Sequence, residues 1–184
     1  MKKPFNHISV DLETVGTTAN SAIVSIGACA FNDDEISPMQ FYLPVNLQSC
    51  IDAGFALNAD TLAWWMNQTK EAQAVFKDNN AVDIEVALNA YKNWIWKVTE
   101  NNPRNTKVWS LGASFDLPML AYGFDKFKIK DPIPFWNHRC LRTLQAIYPN
   151  KVKREGEHHN AKDDAVHQAK VIIDINKTSG GIIL

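Results

Sequence analysis

Cysteine is scarce in this sequence, and its spacing is unproductive. The three present, Cys29, Cys50 and Cys140, stand far apart with no C-x-x-C pair, which excludes a disulfide framework and a zinc site and leaves them as packing residues. Long apolar runs are missing too. No window approaches the roughly eighteen uninterrupted residues of a membrane span, and Met1-Lys2-Lys3-Pro4 leads into a polar-interrupted strand, not a signal-peptide core. A cytoplasmic protein with no membrane partner is expected. Nor does charge of one sign dominate. With 19 Lys and Arg against 20 Asp and Glu the formal net charge is −1, so the overall basic footprint of a non-specific nucleic-acid binder is absent. Any nucleic-acid contact must come from local groups and bound metal. Internal repeats and low-complexity segments are also lacking.

What is present suffices for one core. A chain of 184 residues, 46% of them hydrophobic, reads as a single domain over 1–184. Residues 5–12 and 21–31 read as a hairpin, and 40–45 as a third strand, so the chain opens with an antiparallel meander. From Asn58 the period turns helical. Asn58 or Asp60 can cap a helix through Trp64 and Trp65, a short helix follows near 70–77, and a longer one spans 83–98 with Ile84, Leu88, Tyr91, Ile95 and Val98 on its core stripe. Residues 106–111 read as a strand. Ser114 is a plausible N-cap for a helix over 115–122, 125–137 as mostly loop, 141–148 as a short helix and 160–176 as the last helix, with the tail loosely held unless Ile182, Ile183 and Leu184 dock. Strands, then alternating helix and strand, imply an α/β layer fold around a mixed sheet.

Two stretches carry chemistry. In His7-Ile8-Ser9-Val10-Asp11-Leu12-Glu13-Thr14, extended geometry puts Asp11 and Glu13 on one face and Val10 and Leu12 on the other. Two carboxylates that close repel each other and suit a hard cation such as magnesium or manganese. Alone, the tripeptide also fits a strand end running into a solvated acidic turn. The second stretch is Glu157-His158-His159-Asn160-Ala161-Lys162-Asp163-Asp164-Ala165. His158 with Asp163 and His159 with Asp164 share one spacing. The helix separates them: its apolar face carries Ala161, Ala165, Ala169 and Ile172, Asp164 borders that face, and Asp163 points nearly opposite, into solvent. Asp163 then suits the return partner of a capping box begun by Asn160.

With these residues the chain resembles the DEDDh 3′-to-5′ exonucleases of the RNase T and proofreading-subunit superfamily, over nearly its whole length. Asp11-Leu12-Glu13-Thr14 looks like the first motif, Ser114-Phe115-Asp116 like the second, and His159 through Asp164 like the third. Thr61-Leu62-Ala63-Trp64-Trp65 and the run from Trp109 to Asp116 are similar to the compact group that holds a mycobacterial exoribonuclease, phage deoxyribonucleases and exodeoxyribonuclease VIII-like proteins. Cys140 departs from the pattern, since many relatives carry an acid there.

The resemblance implies an RNase H-like fold and a divalent-metal-dependent 3′-to-5′ exonuclease that releases nucleoside 5′-monophosphates from single-stranded DNA or RNA or from 3′ overhangs. It implies two Mg2+ or Mn2+ ions held by Asp11, Glu13, Asp116 and Asp164, with His159 as general base. Two cations are also what four carboxylates in one cleft require physically. Leu12 and Phe115 are then candidates to wedge or stack the terminal nucleotide, and Thr14 to bond its sugar. Trp64 and Trp65, adjacent on a helix, cannot face one way. Trp65 is named for the cleft, although the sequence does not separate the two. Many relatives are dimers, so a homodimer is possible. Alternatives from other classes are a non-cutting module that binds nucleic-acid ends, and a short-oligonucleotide phosphodiesterase.

Overall fold

Alternation decides the first strand. In a computed structural model, which describes residues 3–181, β1 (His7–Thr14) buries Ile8, Val10 and Leu12 in one cluster with Leu88, Ile95 and Leu117. Ser9 and Asp11 face the other way, where Gln168 bonds to both. The strand starts and ends two residues later than expected, so Glu13 and Thr14 lie on ordered sheet, not in a turn. The expectations for Met1 and Lys2 and for Ile182, Ile183 and Leu184 lie outside the described residues.

β2 (Ile23–Phe31) pairs antiparallel with β1, with Asp11 opposite Gly27, and β3 (Phe41–Pro44) pairs antiparallel with β2. A six-residue helix that periodicity does not reveal, α1 (Leu47–Asp52), follows. It is too short to repeat a pattern, and its buried residue is Cys50. α2 (Ala59–Met66) is capped by Asn58, whose side-chain oxygen accepts from Thr61 N–H, which decides between Asn58 and Asp60. α3 (Lys70–Gln73) runs into a 3-10 turn, and α4 (Ile84–Val98) buries its whole expected stripe. β4 (Lys107–Ser110) pairs parallel with β1. There Trp109 Nε1–H donates to His7 Nδ1 at 3.1 Å; burial lowers the His7 pKa to about 4, so the imidazole stays neutral and free to accept.

α5 (Asp116–Lys126) begins one residue later and runs four further than expected. Phe115 occupies the N-cap position without a side-chain bond, so Ser114 is not the cap. β5 (His138–Cys140) pairs parallel with β4, α6 (Leu141–Ile147) follows, and α7 (Ala161–Thr178) closes the fold. β5 has three residues, too few to show alternation. The sheet order is β3-β2-β1-β4-β5, with the first three strands antiparallel as expected. α4 and α5 cover one face, while α7 lies across β1 and β2 on the other. Among the described residues no helix is long and apolar enough to cross a membrane.

One backbone contact sets the height of α7 above the sheet. A Cβ on Gly27 would fall 2.0 Å from the Ala161 carbonyl carbon and 2.1 Å from the Lys162 nitrogen. Only glycine lets the first turn of α7 rest there, directly over the partner of Asp11. Gly27→Ala is expected to lower stability by about 1–3 kcal/mol or more, as overpacking against unyielding backbone does, and to displace Asp164 with the helix. Urea unfolding reads the first effect. An unchanged midpoint would show that the helix lifts without cost.

Candidate active site

Three elements deliver four carboxylates to one place. β1 projects Asp11 and Glu13, α7 brings Asp164 down from above, and one oxygen from each of the three lies within 4.8 Å of the others. Asp116, the first residue of α5, reaches the same strand from the far side: its Oδ1 accepts the Leu12 N–H at 3.1 Å, between the two strand acids. That bond takes the place of a side-chain cap as the anchor of the α5 N-terminus.

Burial and mutual repulsion act together here. The Asp11 carboxyl is held well above the usual carboxylate range, first by burial and then by Asp116, Glu13 and Asp164. Burial, with Asp164 and Asp116 adding, pushes Glu13 up to about 8. Asp116 is raised by burial as well. The donor set consists of hard oxygens with no thiolate or imidazole in the group, so these residues fit a hard divalent cation such as Mg2+ or Mn2+.

The third motif is tied to Asp164 through the backbone. His159 takes a left-handed conformation, φ 62°, and its N–H donates to Asp164 Oδ2 at 3.1 Å. Histidine tolerates that region better than most residues. Asn160 caps α7, accepting from Lys162 and Asp163 N–H groups. Asp163 departs from expectation: it is half-buried and accepts from Glu157 N–H at 3.0 Å, so it pins the preceding loop instead of completing a capping box on Asn160. Burial lowers the His159 pKa, against the opposing pull of Asp164.

Glu13 opens onto a cleft of about 510 Å³ whose walls also include Leu12, Thr14, Trp64, Trp65 and Phe115. Thr14 Oγ1 donates to Gly16 O at 2.8 Å, so toward a ligand it is an acceptor. The two tryptophans divide as helix geometry requires, but opposite to the choice of Trp65. Trp65 is 3% exposed, packs against Phe76 and donates its Nε1–H to Thr14 O, because its face of α2 lies on the body of the protein. Trp64 is 43% exposed and meets the His159 ring edge-on, centroids 4.9 Å apart. Of the two tryptophans, Trp64 therefore offers the open aromatic surface at the cleft.

Two residues of the site have no part in the sequence motifs. Gln168 is buried, donates from Nε2 to Asp11 Oδ1 at 2.7 Å and accepts from Ser9 Oγ, holding the strand acid from above. Its spacing of four from Asp164 puts it on the same helix face, and that signal was available. Arg154 pairs its guanidinium with Asp164 Oδ1 and also donates to Glu157 O. It comes from an irregular loop, where spacing gives no signal.

Comparison with known proteins places these features in context. A family model described as the 3'-5' exoribonuclease Rv2179c-like domain matches residues 6–175. An exodeoxyribonuclease of Enterobacteria phage T4 is 27% identical over 161 residues, covering 73% of this chain and 68% of that protein. Among solved structures, the nuclease domain of 3'hExo, a DEDDh family member bound to rAMP, superposes with a TM-score of 0.62 at 13% identity, covering 100% of this chain and 97% of that one. S. pombe Pop2p in its Mg2+ and Mn2+ bound form gives 0.60 at 11%, covering 96% and 85%. The fold is RNase H-like.

The raised carboxyls have a consequence for stability. Glu13 titrates near 4.5 when unfolded and about 8 when folded, so the folded chain keeps a proton that the unfolded chain loses. Its contribution is complete below the unfolded value and lost as pH rises through the folded one. In chelator, the melting temperature should fall between about pH 5 and 8, and millimolar Mg2+ or Mn2+ should offset the fall. A flat profile in chelator would mean that the acids carry no such strain.

Proposed function

Because the chain belongs to the Rv2179c-like 3'-5' exoribonuclease domain family, we propose that it is a divalent-metal-dependent exonuclease that removes nucleotides from the 3′ end of single-stranded DNA or RNA, or of 3′ overhangs, as nucleoside 5′-monophosphates. The observation that carries this reading is the convergence of Asp11, Glu13 and Asp164 within 4.8 Å, with His159 bonded to Asp164 through its backbone. Asp11, Glu13 and Asp164 would hold one Mg2+ or Mn2+ ion, and Asp116 with Asp11 a second. Ions so held supply positive charge to the attacking and leaving oxygens of an in-line displacement.

The remaining steps belong to the chain's own residues. Phe115, Leu12 and Trp64 offer apolar surface to the terminal base, and stacking on one ring is worth about 1–3 kcal/mol. Thr14 accepts from a sugar hydroxyl. His159, whose lowered pKa leaves it neutral at pH 7, takes the proton of the attacking water. The bond to the 3′ oxygen of the preceding nucleotide breaks, and the phosphate stays with the departing nucleoside. Gln168 and Arg154 keep Asp11 and Asp164 aimed. The family description names RNA and the phage relative DNA, so both sugars are within the proposal.

His159→Ala should lower kcat about a hundred- to ten-thousandfold while leaving metal affinity, read by calorimetry, near wild type. Asp11→Ala should abolish turnover of labelled strands. If Asp11→Ala protein still degrades them, the assignment to this site fails, and if the wild type binds 3′ ends but cuts nothing, the chain is an end-binding module. Rates on matched RNA and DNA, as dinucleotides and as long strands, separate an exonuclease from a short-oligonucleotide phosphodiesterase.

A further inference from the structure

The pole of the sheet remote from the acids carries a second recess that the chemistry above does not use. The acids lie toward the C-terminal ends of β1 and β4. Arg104 and Trp136 stand just before the N-terminal ends of β4 and β5, at the opposite pole. Lys92 and Trp96 join them from the later turns of α4, and Lys130 and Pro134 from the segment between α5 and β5. Together they line a recess of about 460 Å³.

Charge and ring exposure identify its occupant. Lys92, Arg104 and Lys130 have no ion-pair partner among the described residues. The one acid in the recess, Asp131, is engaged in its own turn, accepting from Ile133 N–H at 2.9 Å. Trp136 is 60% exposed, beside Phe135 at 76% and across from Trp96 at 39%. Unpaired cations beside open indole rings are the combination that holds single strands, with phosphates on the cations and bases on the rings. An apolar protein surface would cover the rings and strand three charges.

We propose that this recess is a second contact for single-stranded nucleic acid, gripping the body of a strand whose 3′ end lies in the acidic cleft. The inference rests on the exonuclease reading above. It makes strand length a determinant of affinity: a strand too short to pass around the sheet engages the cleft alone.

The test is a triple variant, Arg104→Ala, Lys130→Ala and Trp136→Ala, with fluorescence anisotropy of 5′-labelled oligo-dT and oligo-rU of about 20 and about 4 nucleotides in chelator. Loss of one stacked base and two phosphate contacts should raise Kd for the long strands at least about tenfold. It should lower the slope of log Kd against log salt by about 1.4. Affinity for the short strands, and turnover of dinucleotides in metal, should stay at wild type. Replacing Trp136→Ala in that variant by Trp136→Phe should recover part of the long-strand affinity, which distinguishes stacking from a folding defect. A deficit confined to one sugar tells which nucleic acid the recess takes. Wild-type affinity for both long strands would overturn the proposal. So would a shift from dimer to monomer in sedimentation with strand affinity unchanged, which would make the recess an interface between copies. If the wild type cuts no strand, yet its long-strand affinity falls in the triple variant, the exonuclease reading fails and the recess stands.

Discussion

Carboxylates that would repel one another in water are here held together under protein, and much of the chain's architecture counteracts that repulsion. β1 sits in the middle of the sheet, and Asp11 and Glu13 are fixed opposite Gly27 and Ser25 of β2. Three of the four acids have a donor aimed at them: Gln168 on Asp11, the Leu12 N–H on Asp116, and Arg154 with the His159 N–H on Asp164. Such bonds lower the cost of burial without removing it, as the raised Asp11 and Asp116 carboxyls show. A site assembled this way is built against its own electrostatics, and the balance is met by hydrophobic burial elsewhere. The stripe on α4 and the apolar face of β1 supply it.

Rigidity follows from where the parts are attached. Gly27 lets backbone touch backbone between β2 and α7, so Asp164 is positioned by main chain and not by an adjustable side chain. Phe115 and Asp116 sit at the junction of a short turn and a helix, and His159 in a left-handed residue just before another. Groups at such junctions are held by rigid elements, which suits chemistry that needs tight placement.

Most of the fold was readable because it is periodic. β1 alternates strictly, and α4 and α7 repeat at helical spacing over fifteen and eighteen residues. α1 and β5 are too short for a period to emerge, and the start of α5 is set by a tertiary bond from Asp116 to β1, which local capping preferences do not register. In the site, residue type, spacing and helix geometry pointed to Asp11, Glu13, His159 and Asp164, and the family resemblance added Asp116. They could not point to Arg154, whose partner is ten residues away across an irregular loop. They also could not choose between Trp64 and Trp65, since that choice depends on which side of α2 meets the sheet. Asp163 shows the same limit: its real partner, Glu157, lies in a loop whose path no pattern describes.

The Arg154 guanidinium on Asp164 gives the site a resident counter-charge. A divalent ion held here would share Asp164 with a guanidinium already on it, and its affinity would be net of the repulsion between the two cations. The same pair leaves one fewer uncompensated carboxylate for the rest of the fold to hold.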